Sequence, residues 1–409
     1  MNILEIINKK RLKQELSYDE LKYAFMGYLD EQVENYQMSS LLMAIVLNGM
    51  NDRETMDLTD IFLNSGDILD LSSIKGVKVD KHSTGGIGDK TTLIVGPIVA
   101  SLGVKMCKMS GRGLGHTGGT IDKLESIPGF NVNLTNDEIL NEVNDIGISL
   151  SAQTNNLTPL DKKVYALRDV TGTVESIPLI AASIMSKKIA SGADKIIIDI
   201  KLGDGALIKT KEDAERLSVL VKTIGNKYNR EVRTLITNMS TPLGNNIGNA
   251  LEVKEAMDVL QGKQKDTYLY KVCVELAANL VSMALQVEMD EAVKLVENSI
   301  TNGSAYQKFL ELIKYQNGDI NSLKISENIV EVKSEKEGTL KNIDALIIGK
   351  ISCNLGSNRM TIDDVIDPSV GVVLNKKIGD HISIGDTLCY LYMGSRINEL
   401  DPLTAFEIE

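Results

Sequence analysis

"VDKHSTGGIGDKTTL" (residues 79–93) begins as an alternating strand, passes through a glycine-rich turn and enters the apolar run "TTLIVGPIVASLG". Strand, loop and helix in that order make one βα unit. A second follows at once, with "VKMCKM" as strand and "SGRGLGHTGGTIDKLES" (110–126) as another glycine-rich loop. Further out, "NDEILNEVNDIG", "ISLSAQ", "KIIIDI" (195–200), "KEDAERLSVLVKTIG" and "RTLITNM" continue the alternation of helix and strand. "KIIIDI" reads as a strand buried on both faces. Strands separated by helices predict an α/β fold with a mostly parallel central sheet.

The flanks differ. Residues 1–66 read as helices: "SYDE" (17–20) has capping-box spacing, and "SSLLMAIVLNGM" is apolar enough to predict burial on several sides. Gly66 is expected to close the helix "ETMDLTDIFLNSG". A second helical patch covers 162–192. Beyond residue 328, β-branched alternation and glycine-centred turns predict antiparallel strands. There "GDHISIGDTL" reads as a hairpin resembling the edge of a biotinyl- or lipoyl-type domain, but it lacks the modified lysine turn of those domains. Its role is read as structural, and His381 within it as surface. The predicted plan is a discontinuous, small all-helical lobe (1–66 and 162–192) and a large α/β lobe (76–155 and 194–327). A C-terminal antiparallel β (α+β) subdomain (328–409) completes it. The chain is expected to cross between lobes near 66–76, 155–162 and 190–195.

Composition bounds the function. In 409 residues, 43% hydrophobic and 24% charged content is that of a globular protein of two or three domains. No apolar run is read as membrane-spanning, and the N-terminus is charged throughout, unlike a signal peptide. Four scattered cysteines without CxxC spacing suggest neither zinc nor disulfides, and point to the cytoplasm. A net charge of −12 argues against nucleic-acid polymers. A small anion remains compatible, because the two loops concentrate Lys81, Lys90, Lys108 and Arg112.

Each loop follows a strand, so both should meet beyond the C-terminal ends of the sheet, where open α/β proteins bind ligands. Backbone N–H groups between Gly88 and Thr92, at a helix N-terminus, favour an anion. Lys81 adds a charge, and Ser83, Thr91, Thr92, Ser110 and Thr120 add hydroxyls. Together these predict a phosphate cradle. Neither loop is a Walker A or a G-x-G-x-x-G sequence, which weakens the nucleotide-triphosphate and dinucleotide alternatives.

"SGRGLGHTGGTIDKLES" and "DKHSTGGIGD" closely resemble the signature and phosphate loop of the thymidine and pyrimidine-nucleoside phosphorylases. The similarity continues through "YALRDVTGTVESIPLIAASIMSKK", "GNALEVKEA" and "DPSVGVVL". It implies reversible cleavage of a pyrimidine nucleoside by inorganic phosphate, with inversion at C1′ and no covalent enzyme intermediate. The positions resembling the family's phosphate site are Lys81, His82, Ser83, Thr92, Lys108, Ser110 and Thr120. Those resembling its base and sugar site are His82, Lys108, Arg168, Ser183 and Lys187, with His82, Arg168 and Lys187 as the catalytic group. Without the resemblance, Arg168 and Lys187 would pass as charges on helix surfaces. His116 is read as loop architecture. The resemblance also implies substrates on facing walls of two lobes, closure between them, and a homodimer formed through the N-terminal helices.

Lys108 stands where thymidine-restricted members resemble this chain but carry Met. A lysine there could donate to a ribose 2′-OH, implying broad use of uridine, deoxyuridine and thymidine. No cofactor is required for the chemistry, but some broad members hold a monovalent cation, potassium. The matching positions are Gly88, Lys90, Leu243, Asn246 and Glu255, where Lys90 and Asn246 replace small residues and an ammonium would compete with the ion. Three alternatives remain: a thymidine-restricted phosphorylase, an anthranilate-type phosphoribosyltransferase, which would need a carboxylate cluster for Mg²⁺, and a non-catalytic nucleoside-binding or signalling protein.

Overall fold

The protein's structure, a computed structural model, describes residues 1–113, 118–154, 156–359 and 364–409. It divides into two compact units, Met1–Ser73 with Gln153–Ile196 and Lys211–Thr234, and Ile74–Ala152 with Ile197–Thr210 and Leu235–Glu409.

The first unit is helical, built from Ile3–Arg11, Tyr18–Leu29, Asn35–Asn48, Asp52–Leu63, Pro159–Asp169, Ile177–Ala190 and Lys211–Lys227. Ser17 caps the second helix through the reciprocal bonds expected of "SYDE". Leu21, Leu41, Ile45, Leu58, Leu160 and Leu179 share one core with Phe25 and Phe62. The two phenyl rings meet edge to face, 5.7 Å apart.

Three expectations need correcting here. The Asn35–Asn48 helix buries Met38, Leu41, Leu42 and Ile45 but leaves an apolar stripe outside, with Tyr36 70% and Leu47 74% exposed. Apolar composition therefore did not mean burial all round in this chain. Gly66 does not cap its helix, which ends at Leu63 with Asn64 as cap. A Cβ on Gly66 would stand 2.1 Å from the Asn156 carbonyl oxygen, so glycine permits a close chain crossing. Residues 211–234, expected in the α/β lobe, cluster with the helical unit instead. Helix Lys211–Lys227 packs on Ile177–Ala190, and the Tyr228 hydroxyl donates to Asp60 at 2.9 Å.

The expected sheet consists of β1 (Lys78–Ser83), β2 (Lys105–Ser110), β3 (Ile148–Ala152), β4 (Lys195–Leu202) and β5 (Glu231–Asn238), in the order β3-β2-β1-β4-β5. The β1–β2 and β2–β3 pairs are parallel. β4 is buried at all six interior positions, as its apolar run requires. The helix Tyr268–Leu285 is long and apolar enough to cross a membrane, but 67% of it is buried inside the unit, against helix Thr91–Ser101 and β1. Its apolar length thus serves a core.

The C-terminal region carries β6 (Asn246–Ile247), β7 (Ile329–Lys333), β8 (Gly338–Ile343), β9 (Gly371–Leu374), β10 (His381–Ile382), β11 (Thr387–Tyr392) and β12 (Phe406–Ile408). They form two antiparallel sheets, β6-β9-β11-β7 and β10-β8-β12. "GDHISIGDTL" is not a hairpin: its turn carries the chain from one sheet to the other, because β10 pairs with β8 and β11 with β7 and β9. The His381 side chain is 68% exposed. The core between these sheets includes Ile87, so the tip of the first glycine-rich loop is anchored in the C-terminal strands.

Candidate active site

β1 runs directly into the first loop. Strand alternation sends Lys81 and Ser83 to one face, Asp80 and His82 to the other. Lys81 is 1% exposed and donates to Thr91 Oγ1 at 2.5 Å. The Thr91 hydroxyl in turn donates to Asp89 Oδ1 at 2.5 Å. The carboxylates of Asp89 and Asp199 each stand 3.7 Å from Lys81 Nζ, beyond hydrogen-bond reach. Lys201 Nζ lies 2.7 Å from Asp199, with both side chains fully buried. Burial works to raise the Asp89 carboxyl, but the charges of Lys81 and Lys201 and bonds from Ser83 and Thr91 outweigh it. Asp89 therefore ionises well below the ordinary carboxylate range. For Lys201, burial works to lower the ammonium, yet Asp199 and Asp89 carry it above its usual value.

This changes the sequence reading of a local positive concentration. Lys81 and Lys201 are balanced by Asp89 and Asp199. Lys90 is bound to Glu255, Lys108 stands 3.9 Å from Asp80, and Arg112 pairs with Glu125 and Asp122. Charge parity does not use up hydrogen-bond donors, however, because an ammonium has three. Lys81 uses one, on Thr91, leaving two for an anion. Thr91 is committed to Asp89, so Thr92, 7% exposed at the start of helix Thr91–Ser101, is the neighbouring hydroxyl for a ligand.

Ser110 closes β2 and Thr120 opens helix Thr120–Glu125; both are half-buried. Asp122 accepts from Gly113 N at 2.6 Å and Gly119 N at 3.3 Å, and Lys123 donates to the Gly118 carbonyl at 2.7 Å. The shape of this loop thus rests on the "DK" that follows it. His116 lies outside the described residues. His82 is half-buried near the end of β1. Lys108 is only 5% exposed and donates to the Met109 carbonyl at 3.0 Å.

The other cluster belongs to the helical unit. Arg168, which its helix pattern alone would leave on the surface, is 1% exposed. Its Nε donates to Thr173 O at 3.0 Å, Nη2 to Val174 O at 2.7 Å and Nη1 to Leu179 O at 3.4 Å. The guanidinium closes the turn between helices Pro159–Asp169 and Ile177–Ala190, which is why it is buried. Three of its five donors are used. Burial lowers its pKa, against the opposing charges of Asp161 and Tyr165. Lys187 donates to Asp161 at 2.6 Å and to Ser183 Oγ at 2.8 Å, one helical turn back. Its ammonium also lies 5.6 Å from the Tyr165 ring centre. The structure therefore brings Arg168, Ser183 and Lys187 together in one unit, and Lys81, His82, Ser83, Thr92, Lys108, Ser110 and Thr120 in the other.

A family model described as a glycosyl transferase family a/b domain matches residues 75–306, and its helical bundle companion matches 4–66. A pyrimidine nucleoside phosphorylase C-terminal domain matches 339–405. The pyrimidine-nucleoside phosphorylase of Staphylococcus haemolyticus (strain JCSC1435) is 48% identical over 399 residues, 96% of this chain and 92% of that one. The chain belongs to the pyrimidine-nucleoside phosphorylase family. The phosphorylases of Geobacillus stearothermophilus and Bacillus subtilis (strain 168) are 47% and 48% identical over the same coverage. The anthranilate phosphoribosyltransferase of Thermus thermophilus shares the fold, with a TM-score of 0.60 at 16% identity over 76% of this chain and 99% of that one.

For a phosphorylase of this family, what sequence reasoning missed was the partners of the expected site residues. Asp89, Asp199 and Lys201 set the charge around Lys81, while Asp161 and Tyr165 orient Lys187. Asp161, Tyr165 and Arg168 share one face of helix Pro159–Asp169 at spacings of four and three, a signal that periodicity offered. Asp199 and Lys201 carried a different signal: both are charged in a strand otherwise built for burial on both faces.

Proposed function

We propose that the chain cleaves uridine, deoxyuridine and thymidine by direct attack of inorganic phosphate on C1′. The products are the free base and the α-D-pentose 1-phosphate, formed reversibly and with inversion. Membership of the family carries the reaction class, phosphorolysis by a pentosyltransferase. The observation that supports the residue roles is the donor arithmetic: Lys81 retains two donors for phosphate, Arg168 two and Lys187 one for the base.

Phosphate is held by Lys81, by hydroxyls of Ser83, Thr92, Ser110 and Thr120, and by the N-terminus of helix Thr91–Ser101. As the glycosidic bond breaks, negative charge develops on the pyrimidine. Arg168 and Lys187 donate to its carbonyl oxygens, so their bonds strengthen as the reaction proceeds. Ser183 orients Lys187 and the base. His82 donates to the base as hydrogen-bond donor or general acid. Lys108 donates to the 2′-OH of uridine.

The test is base release from each nucleoside with and without phosphate, and from the matching nucleoside 5′-monophosphates with pyrophosphate and Mg²⁺. Proton and phosphorus NMR of the product would give the anomer. Release that needs phosphate and yields the α anomer is expected; dependence on pyrophosphate and Mg²⁺ would instead favour a phosphoribosyltransferase. Activity restricted to thymidine would overturn the breadth proposed.

The working protein is further proposed to be a cytoplasmic homodimer. Its four cysteines are free and buried, as a reducing compartment allows. Tyr36, Met43 and Leu47 leave an apolar stripe on helix Asn35–Asn48 that a second copy would cover. Sedimentation at micromolar concentration tests this, with Leu47→Glu expected to shift the protein toward monomer.

A further inference from the structure

The first glycine-rich loop carries a second buried lysine that phosphate chemistry does not use. Lys90 directly precedes helix Thr91–Ser101, and its side chain is fully buried. Its Nζ donates to Leu243 O at 2.9 Å, to Asn246 O at 2.8 Å and to Glu255 Oε2 at 2.6 Å. An ammonium has three donors, and all three are satisfied by the protein. Lys81 in the same loop keeps two for a ligand, so the two lysines have different work.

The partners of Lys90 are two backbone carbonyls and a carboxylate, oxygen ligands of the kind that hold a hard monovalent cation. Glu255 is fixed from both sides: Oε1 accepts from Asn245 N at 2.8 Å and Oε2 from Asn246 N at 3.0 Å. The surrounding loop closes tightly on the group. Gly244 adopts φ +81°, and a Cβ there would stand 2.5 Å from Glu255 Oε2 and 2.8 Å from Lys90 Nζ.

The five positions Gly88, Lys90, Leu243, Asn246 and Glu255 therefore do not fit a bound potassium ion. An ion drawn to these oxygens would overlap the lysine nitrogen. It would also meet a like charge at contact distance, away from water, where repulsion is strong. We propose that the Lys90 ammonium is itself the monovalent cation of this site, attached covalently, so that the chain needs no alkali metal ion there. Potassium would tie two loops together only while bound. Lys90 ties the loop ending at residue 90 to residues 243–246 at any salt composition. Thr91, whose hydroxyl receives Lys81, is the next residue, so the same tether steadies the phosphate cradle.

The test uses the full-length protein and does not depend on turnover. Dialysed into tetramethylammonium chloride, a cation too bulky for the cage, wild type is titrated with KCl or RbCl at constant ionic strength. No saturable change in Tm is expected, and crystals soaked in rubidium should show no anomalous peak between the Leu243 and Asn246 carbonyls. Lys90→Thr empties the cage. Its Tm should fall by several degrees in tetramethylammonium and rise saturably with K⁺ or Rb⁺, as a binding equilibrium requires. Lys90→Met, whose stem still fills the space, should fall as far without recovering. A saturable rise in wild-type Tm with K⁺, or a rubidium peak at these carbonyls, overturns the proposal whether or not the variants fold. A folded Lys90→Thr protein without a cation response overturns it too. An enzyme inactive on pyrimidine nucleosides would leave these measurements unaffected.

Discussion

The clusters around Lys81 and Arg168 bury positive charge in opposite ways. Lys81 and Lys201 are matched by Asp89 and Asp199, so the group is close to neutral before an anion arrives. Arg168 is held by three backbone carbonyls, which are dipoles without net charge, and the one carboxylate that opposes it, Asp161, is bonded to Lys187, so these three residues keep a net positive charge. A phosphate dianion brings two charges of its own, and binding it requires donors already pointed at the right place. A departing pyrimidine develops charge only as its bond breaks, and a standing positive charge acts on that change most directly. On the roles proposed for the two clusters, neutral preorganisation suits the ligand that is always charged, and a net positive charge suits the one that becomes charged.

The largest effect expected from this contrast comes from Arg168→Ala. It should cut kcat by roughly 10²–10³, the usual effect of deleting one donor to developing charge. Unlike loss of a surface charge, it should also destabilise the helical unit, since each orphaned buried carbonyl costs about 1–3 kcal/mol. Saturating kinetics and urea midpoints measure the two effects separately. A variant with a wild-type midpoint would show that the three carbonyl contacts contribute nothing.

Next comes Lys81→Met. Loss of a charged hydrogen bond, worth about 1.5–3 kcal/mol, should raise the phosphate KM roughly tenfold to a hundredfold, with the nucleoside KM much less affected. A phosphate dependence equal to wild type would end the assignment of the cradle.

Glu142 sharpens the contrast, because it is a carboxyl buried without such lysines. It is 1% exposed in helix Asn136–Ile146, and burial pushes it up to about 8 despite the nearby Ser149 hydroxyl. Between its ordinary value of 4.5 and about 8, the folded state keeps a proton that the unfolded chain releases. Rising pH across that window therefore favours unfolding, by at most about 1.4 kcal/mol per pH unit. Above the window the cost stays constant. Glu142→Gln should lack this slope, so its Tm should gain on wild type between about pH 5 and 8. Parallel Tm curves would mean that Glu142 is ionised in the fold, as Asp89 is.

The smallest effect concerns Lys108. Its burial beside Asp80 leaves it less able to reach a sugar, so Lys108→Met should lower the uridine-to-deoxyuridine ratio of kcat/KM by about tenfold or less, at saturating phosphate. An unchanged ratio would remove the 2′-OH role and with it the main support for broad specificity.

Much of the molecule was legible because it is written locally. The capping box at Ser17, the buried run of β4, the alternation of helix and strand and the antiparallel C-terminal texture each depend on neighbours in sequence. The failures share a cause. The apolar stripe of helix Asn35–Asn48, the close crossing at Gly66 and the separation of β10 from β11 depend on which remote segment packs against them. Periodicity alone would leave Arg168 on the surface for the same reason, since its helix does not reveal that the following turn folds back over it.

The glycine loops, their lysines and hydroxyls, and the family they resemble were determined by the sequence by itself, because backbone conformation and chemical type are properties of adjacent residues. Which lysine keeps donors to spare and which spends them all within the fold was decided only by the tertiary structure. Lys81 and Lys90 sit nine residues apart on either side of one glycine-rich turn and look interchangeable on paper. Lys90 has its three donors filled by groups as far as 165 residues away, while Lys81 has one filled by its own loop. The difference between donors present and acceptors supplied sets what a charged group can still bind, and folding is what brings those acceptors within reach.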